Sequence, residues 1–320
     1  MNIVNPNIFM VTDVTSRVGK ALALELAKTG GTVILVAPDG EQGARVEREI
    51  WLATQSPNID LQLGDISNLS SVRNLADIVK IKYSRLDVLI NNSRVYTRRH
   101  TLTVDGLEKM FAANHLGPYL LTRLLLDQLA EGYSARIVNI TAPPTDPLDF
   151  DDLQQETRFN PIRALNASRM ANLLFTFELA RRMENTGVMV NALYPGLVRS
   201  EIHSDAPALI RFLAWLFAHS PKEAAQEIVH AAIGPEFRFM QGKFLHRGQE
   251  IEPPAFALDP ENQQRLWEMS SQMTHAYIQD PNYDPTGSVA LYNNRDIPPG
   301  LIRPKDDPRQ REDESVTDLY

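Results

Sequence analysis

The sequence predicts an α/β protein built on a single doubly wound, mostly parallel sheet flanked by helices. Three observations predict it. Short apolar runs alternate along the chain with longer segments of helical period, the pattern that places helices on both faces of one sheet. The clearest run, Thr32 to Ala37 (TVILVA), is continuous rather than alternating, as in strands buried on both faces. With 43% hydrophobic and 22% charged residues over 320 positions, the chain can fill a large core, which excludes wholesale disorder.

Ile8 to Val11 reads as the first strand. Val18, Leu22 and Leu26 then recur every four residues until Gly30-Gly31 stops the run, the pattern of a helix with a glycine end. Thr32 to Ala37 is the second strand, and Ile59, Leu61 and Leu63 alternate as a third. Leu86 to Ile90, Arg136 to Ile140 and Val188 to Leu193 follow as the fourth, fifth and sixth, and a short strand near Lys243 to Leu245 closes the sheet. Helical stretches are predicted at about 68–83, 104–131 and 162–184.

Composition changes after residue 274. From there to Tyr320 the chain carries six prolines, five basic and nine acidic residues, too little apolar surface to offset its own ordering entropy. The expected division is therefore a domain over 1–274 and a Pro-rich, acidic extension over 275–320, disordered or draped on a partner. Ala208 to Ala218 (ALIRFLAWLFA) has a single charge, Arg211. It is too short to span a bilayer; it suits a lid over the sheet and, less readily, a membrane surface or a partner.

Further classes are excluded by counts. With no cysteine there is no disulfide framework, thiolate nucleophile or cysteine-ligated metal. A net charge of −8 argues against nucleic acid as partner. The N-terminus lacks the basic and apolar regions of a secretory signal. The seven histidines show no metal-binding spacing, and His115 reads as a satisfied helix residue.

The turn after the first strand, Thr12-Asp13-Val14-Thr15-Ser16-Arg17-Val18-Gly19, leads into a helix, the usual place for a dinucleotide pyrophosphate. Further along come Leu89-Ile90-Asn91-Asn92-Ser93-Arg94-Val95, Ala113-Asn114-His115-Leu116-Gly117 and Arg136 to Ala142 (RIVNITA). The run from Leu165 to Ser200, LNASRMANLLFTFELARRMENTGVMVNALYPGLVRS, is the most specific. In this order the segments resemble the short-chain dehydrogenase/reductase family, in particular its retinol-dehydrogenase-like and protochlorophyllide-reductase-like branch. The likeness covers about residues 5 to 274 and implies a Rossmann-like sheet.

The resemblance also assigns the family's working positions. Its phosphate turn, Thr-Gly-x-x-x-Gly-x-Gly, keeps Thr12 and Gly19 but has Asp13 and Arg17 at the other two glycines. Asp13 places a carboxylate where phosphates would sit, or satisfies the helix N-terminus as an internal anion. Arg17 can pair with a phosphate, but its bulk is expected to fill the site. Asn-Asn-Ala-Gly appears as Asn91-Asn92-Ser93-Arg94, and Pro38 stands where related NADP users carry Arg. Asp65, at the adenine-contacting position, and Asn91 are retained; both also suit a purely structural role at strand ends.

Of the family's catalytic Asn, Ser, Tyr and Lys, the first is Asn114, whereas Ser becomes Ala142 (after Thr141), Tyr becomes Leu165 and Lys becomes Arg169. Leucine has no titratable proton, alanine no hydroxyl, and a guanidinium cannot serve as a lysine tuned by a phenol. Thr141 is the nearest hydroxyl, but strand alternation points it to the wrong side. Tyr194 belongs near the nicotinamide side of the sheet's carboxyl edge, with packing beneath the following turn its more ordinary role.

These departures favour a pseudoenzyme: a structural or binding module with no cofactor expected, in a cytoplasmic, membrane-associated assembly or as a homo-oligomer formed through the 104–131 and 162–184 helices. Peripheral membrane contact would run through Ala208 to Ala218. The alternative is an NADP- or NAD-dependent oxidoreductase on a lipophilic alcohol or ketone with a non-standard proton donor. A third reading is a cleft that binds a small apolar ligand without reacting it.

Overall fold

The computed structural model describes residues 7–198 and 218–279. Among the described residues eight strands form one sheet in the order β3-β2-β1-β4-β5-β6-β7-β8. They are β1 (Ile8–Val11), β2 (Thr32–Ala37), β3 (Ile59–Leu63), β4 (Val88–Asn91), β5 (Arg136–Ile140), β6 (Met189–Leu193), β7 (Phe244–His246) and β8 (Gln249–Glu250). All neighbours pair in parallel except β7 and β8. The chain leaves β1 towards β2 and β3, then crosses back to place β4 on the other side of β1. Registers Val11↔Leu35 and Val11↔Ile90 bring both neighbours level with the end of β1. Such a reversal opens a crevice at the carboxyl ends of the strands.

Helices cover both faces. On one lie α1 (Arg17–Ala27), α2 (Gly40–Thr54) and α8 (Pro221–Ile233), burying Leu22, Leu26, Val46 and Ile228 against Phe9, Val33 and Val138. On the other lie α3 (Leu69–Lys82), α5 (Gly117–Leu124) and α7 (Pro161–Arg182), whose apolar sides meet Met10, Ile34, Leu89 and Ile137. Outside α7 runs α10 (Pro260–Gln279), preceded by α9 (Ala255–Leu258). Its Trp267 stands edge-on to Tyr119 of α5 at 5.1 Å, and its indole lies beneath Arg182 of α7 at 4.3 Å. Both helices predicted to mediate self-association thus carry α10 on their outer sides.

The predicted elements are found, with instructive differences. The 104–131 helix is divided into α4 (Lys109–Phe111), one π turn over Ala112–Leu116, then α5 and α6 (Leu126–Ala130). It starts late because Gly106 turns with φ 74° and the Glu108 carboxylate caps the N–H of Phe111 at 2.7 Å. The fourth strand begins at Val88, since Leu86 donates its N–H to Gln128 O rather than to a strand. After β7 the chain reverses through Arg247 and Gly248, both with positive φ (52° and 73°), a pair suited to a tight hairpin, and adds β8.

Helices α2, α8 and α10 were not foreseen. The buried seam of α10 is Gln263, Leu266, Ser270 and Thr274, a helical spacing written largely in polar residues. This helix runs through the expected boundary at 274 and ends at Gln279. Of the apolar segment Ala208 to Ala218, all but the buried Ala218 lies outside the described residues, as does 280–320. Among the described residues no helix is long and apolar enough to cross a membrane.

Candidate cofactor and catalytic site

The turn after β1 is built although two glycines are missing. Thr12 is buried; its N–H donates to Ile90 O at 3.2 Å and its hydroxyl accepts the Asn92 N–H at 2.8 Å, tying the ends of β1 and β4 together. Asp13 takes φ 52°, the left-handed region that glycine enters freely and that Asp and Asn enter most readily among the others. Ser16 caps α1: its hydroxyl accepts the Gly19 N–H at 3.0 Å and donates to Asp13 O at 2.9 Å. A Cβ on Gly19 would stand 2.1 Å from Asp13 O and 2.9 Å from Asn92 Nδ2, so only glycine fits there. Asp13 therefore supplies the backbone shape of the first family glycine while adding a carboxyl. Burial pushes that carboxyl's pKa up to about 6, against the lowering effect of hydrogen bonds from Thr15 and Ser16.

Arg17 does not fill the turn. It is the first residue of α1 and is exposed, because Ser16 takes the cap position and the next side chain points outward. Pro38 is exposed, and Asp39 beside it caps α2 through the Gln42 N–H at 2.7 Å. Asp65 serves its own turn, accepting from the N–H and hydroxyl of Ser67 at 2.8 and 2.7 Å.

At the end of β4, Asn91 donates to Asn139 Oδ1 at 2.8 Å and Thr122 Oγ1 at 3.0 Å, and Asn139 donates onward to Thr176 Oγ1 at 2.9 Å. This buried ladder fastens β4, β5, α5 and α7 together. Beside it, Asn92 Oδ1 and the Ser93 hydroxyl are buried with no partner among the described residues. Arg94 is half-buried and engaged.

At the relay positions, Asn114 sits in the π turn. Its side chain accepts the Val95 N–H at 2.7 Å and donates to Val95 O at 2.9 Å and Ser168 Oγ at 3.1 Å. Ser168 donates to Leu165 O at 2.9 Å, so its hydroxyl is committed to the helix. Leu165 and Arg169 lie one turn apart on α7, both half-buried, and Arg169 Nη1 reaches Asn166 Oδ1 at 3.4 Å. Ala142 is buried, and the Thr141 hydroxyl is spent on Arg169 O at 3.4 Å, turned towards the helix as strand alternation requires. His115 is fully buried against Phe111, Tyr119 and Phe175; Nε2 meets Ser270 Oγ at 2.8 Å, while Nδ1 has no partner among the described residues.

Tyr194 follows β6, half-buried, with its ring 5.0 Å from that of His246 and its hydroxyl without a hydrogen bond among the described residues. Sequence reasoning missed its neighbours. His246 donates Nδ1–H to Tyr194 O at 2.8 Å, with Glu227 Oε1 3.7 Å from the same nitrogen; His219 Nε2 lies 3.0 Å from Arg247. These residues come from α8, β7 and the segment after 217, so no spacing signal could have joined them.

A parallel sheet that reverses order at its first strand, with helices on both faces and a capped helix N-terminus at that reversal, defines a Rossmann-like α/β protein. The chain belongs to the short chain dehydrogenase family, whose model matches residues 7–208. Human retinol dehydrogenase 13 is 36% identical over 275 residues, which cover 82% of this chain and 83% of that protein. A crystal structure of a protein from Mycobacterium paratuberculosis superposes with a TM-score of 0.68 at 28% identity, covering 85% of this chain and 94% of the other. Pseudomonas aeruginosa RhlG, solved as an NADP active-site complex, shares the fold at 22% identity and a TM-score of 0.62, with 79% and 97% covered.

Proposed function

We propose that this chain is an NAD(P)-dependent oxidoreductase acting on a lipophilic alcohol or ketone, with a proton donor other than the family's phenol. The observation that carries this reading is the preserved phosphate turn: the Thr12–Asn92 tie, the Ser16 cap and the close approach at Gly19 keep its backbone shape, and Arg17 leaves it open. The unpartnered Asn92 Oδ1 and Ser93 Oγ beside it fit a polar ligand. Similarity to a retinol dehydrogenase supports the lipophilic substrate class. The cofactor, when bound, supplies hydride transfer. The turn that Thr12, Ser16 and Gly19 shape would seat its phosphates at the N-terminus of α1, and the Arg169 charge would stabilise a developing alkoxide. Tyr194, whose phenol has no hydrogen bond among the described residues, is the group to which we assign the proton, at its Oη.

Turnover of a panel of long-chain and retinoid-like alcohols and carbonyls with NADH and NADPH tests the reading. Tyr194→Phe should lower the rate by about 10²–10⁴, the usual contribution of one general acid–base group. Dinucleotide binding with no turnover across the panel would overturn the catalytic part. That outcome would favour the second reading, a non-catalytic binding module. Ala142 and Leu165 speak for it, since neither carries a proton to transfer. On that reading 208–218 and the 275–320 extension would be docking surfaces, and pull-down from the native source would recover an assembly.

A further inference from the structure

Asp13 carries a partly buried carboxyl in the phosphate turn, at a left-handed position where the family has glycine. We propose that Asp13 makes dinucleotide binding proton-linked: the turn takes a diphosphate when the Asp13 carboxyl is neutral and resists it when the carboxyl is ionised. The inference rests on the reading that this cleft takes a dinucleotide.

Among the described residues the carboxyl has no counter-charge. From its own turn it receives the Thr15 hydroxyl at 3.0 Å, and Ser16 donates to its carbonyl. From the end of β4, Asn92 presents an amide whose Nδ2 lies 3.5 Å from Asp13 O. On the β2 side, Val36 O is occupied by the Val14 N–H, and Asp39 is turned to Gln42. Of the cations on α1, Arg17 is exposed and Lys20 is paired with Glu49 at 2.7 Å. Arg94, beyond Asn92, is already engaged. Burial without a cation favours the neutral acid, in keeping with the raised pKa of about 6. A ligand is independently indicated by Asn92 and Ser93, only 1% and 6% exposed, each with a side-chain oxygen lacking a partner.

A diphosphate beside this carboxyl raises its proton affinity further, so binding takes up a proton. Above the free protein's midpoint, affinity then falls by up to about tenfold per pH unit, until the bound state also deprotonates.

The test is titration calorimetry of the full chain with NADH, whose diphosphate does not titrate near neutrality, at about pH 6 and pH 8. Two buffers of different ionisation enthalpy report the protons exchanged. The wild type should bind roughly 10–100-fold more weakly at the higher pH and take up a substantial fraction of one proton. Asp13→Asn, which keeps the left-handed preference and removes the charge, should bind at pH 8 about as well as the wild type at pH 6, with no proton uptake. Asp13→Gly, the family residue, is the second variant, and thermal unfolding checks that both are folded. Wild type and both variants sharing one pH profile would overturn the proposal while leaving the dinucleotide reading intact. Binding by none of the three at either pH would overturn both.

Discussion

Acidification pulls on two buried groups in opposite directions, and separating them tests the electrostatics of this fold. Burial in the aromatic cluster lowers the pKa of His115 from 6.5 to about 3. The unfolded chain binds that proton more readily. The stability contributed by neutral His115 is therefore whole above about pH 6.5 and is lost as pH falls, by about 1.4 kcal/mol per unit. Asp13 behaves oppositely, because its pKa rises from 3.8 to about 6 on folding. Its contribution is whole below about pH 4 and is lost as pH rises through 6, with a slope of similar size. Between pH 4 and 6 the two slopes nearly cancel in the wild type. Against the wild type, Asp13→Asn lacks the Asp13 contribution and should lose about 2 kcal/mol from pH 6 to pH 4, a fall of roughly 4–8 °C in Tm. Against the wild type, His115→Gln is spared the cost of the neutral imidazole and should gain about 2–3 kcal/mol over the same interval. Urea unfolding at half-unit steps measures each variant against the wild type, so every group but the substituted one cancels in the difference. A difference curve between His115→Gln and wild type that stays flat from pH 6 to pH 4 would refute the reasoning.

Gly19→Ala places a Cβ 2.1 Å from Asp13 O, so the turn must open. A loss of about 1–3 kcal/mol and a fall in NADH affinity are expected, and an unchanged Kd would contradict the assigned geometry. Glu178 is fully buried, with Arg182 Nε at 2.6 Å and Arg181 on its other oxygen. Because both arginines keep partial access to water, Glu178→Gln should cost about 1–3 kcal/mol, less than breaking a fully buried pair, as read by the urea midpoint.

The parts of the fold legible in the sequence were those that bury on every side. Strands β2 and β5 lie where continuous apolar text placed them, and α7 starts and stops within two residues of its expected bounds. The π turn at Asn114 has no periodic signature, which is why one long helix was expected where several pieces stand. Helix α10 escaped notice because Gln263, Ser270 and Thr274 occupy its inner stripe. Within the candidate site, Thr12, Gly19, Asn91 and Asn114 were found by motif. The left-handed Asp13 and the outward Arg17 were not, since each follows from where the cap falls at Ser16. The meeting of Tyr194, His246 and Glu227 depends on three elements far apart in the chain.

The ladder from Asn91 through Asn139 to Thr176 includes none of the relay positions Asn114, Ala142, Leu165 and Arg169. Foundations and fittings are thereby kept separate. Ala142, Leu165 and Arg169 take no part in that ladder, so substitutions at them leave its hydrogen bonds in place. The same independence works in reverse: Ala142→Ser, Leu165→Tyr and Arg169→Lys together would place the family's relay groups over a ladder whose own hydrogen bonds they leave untouched.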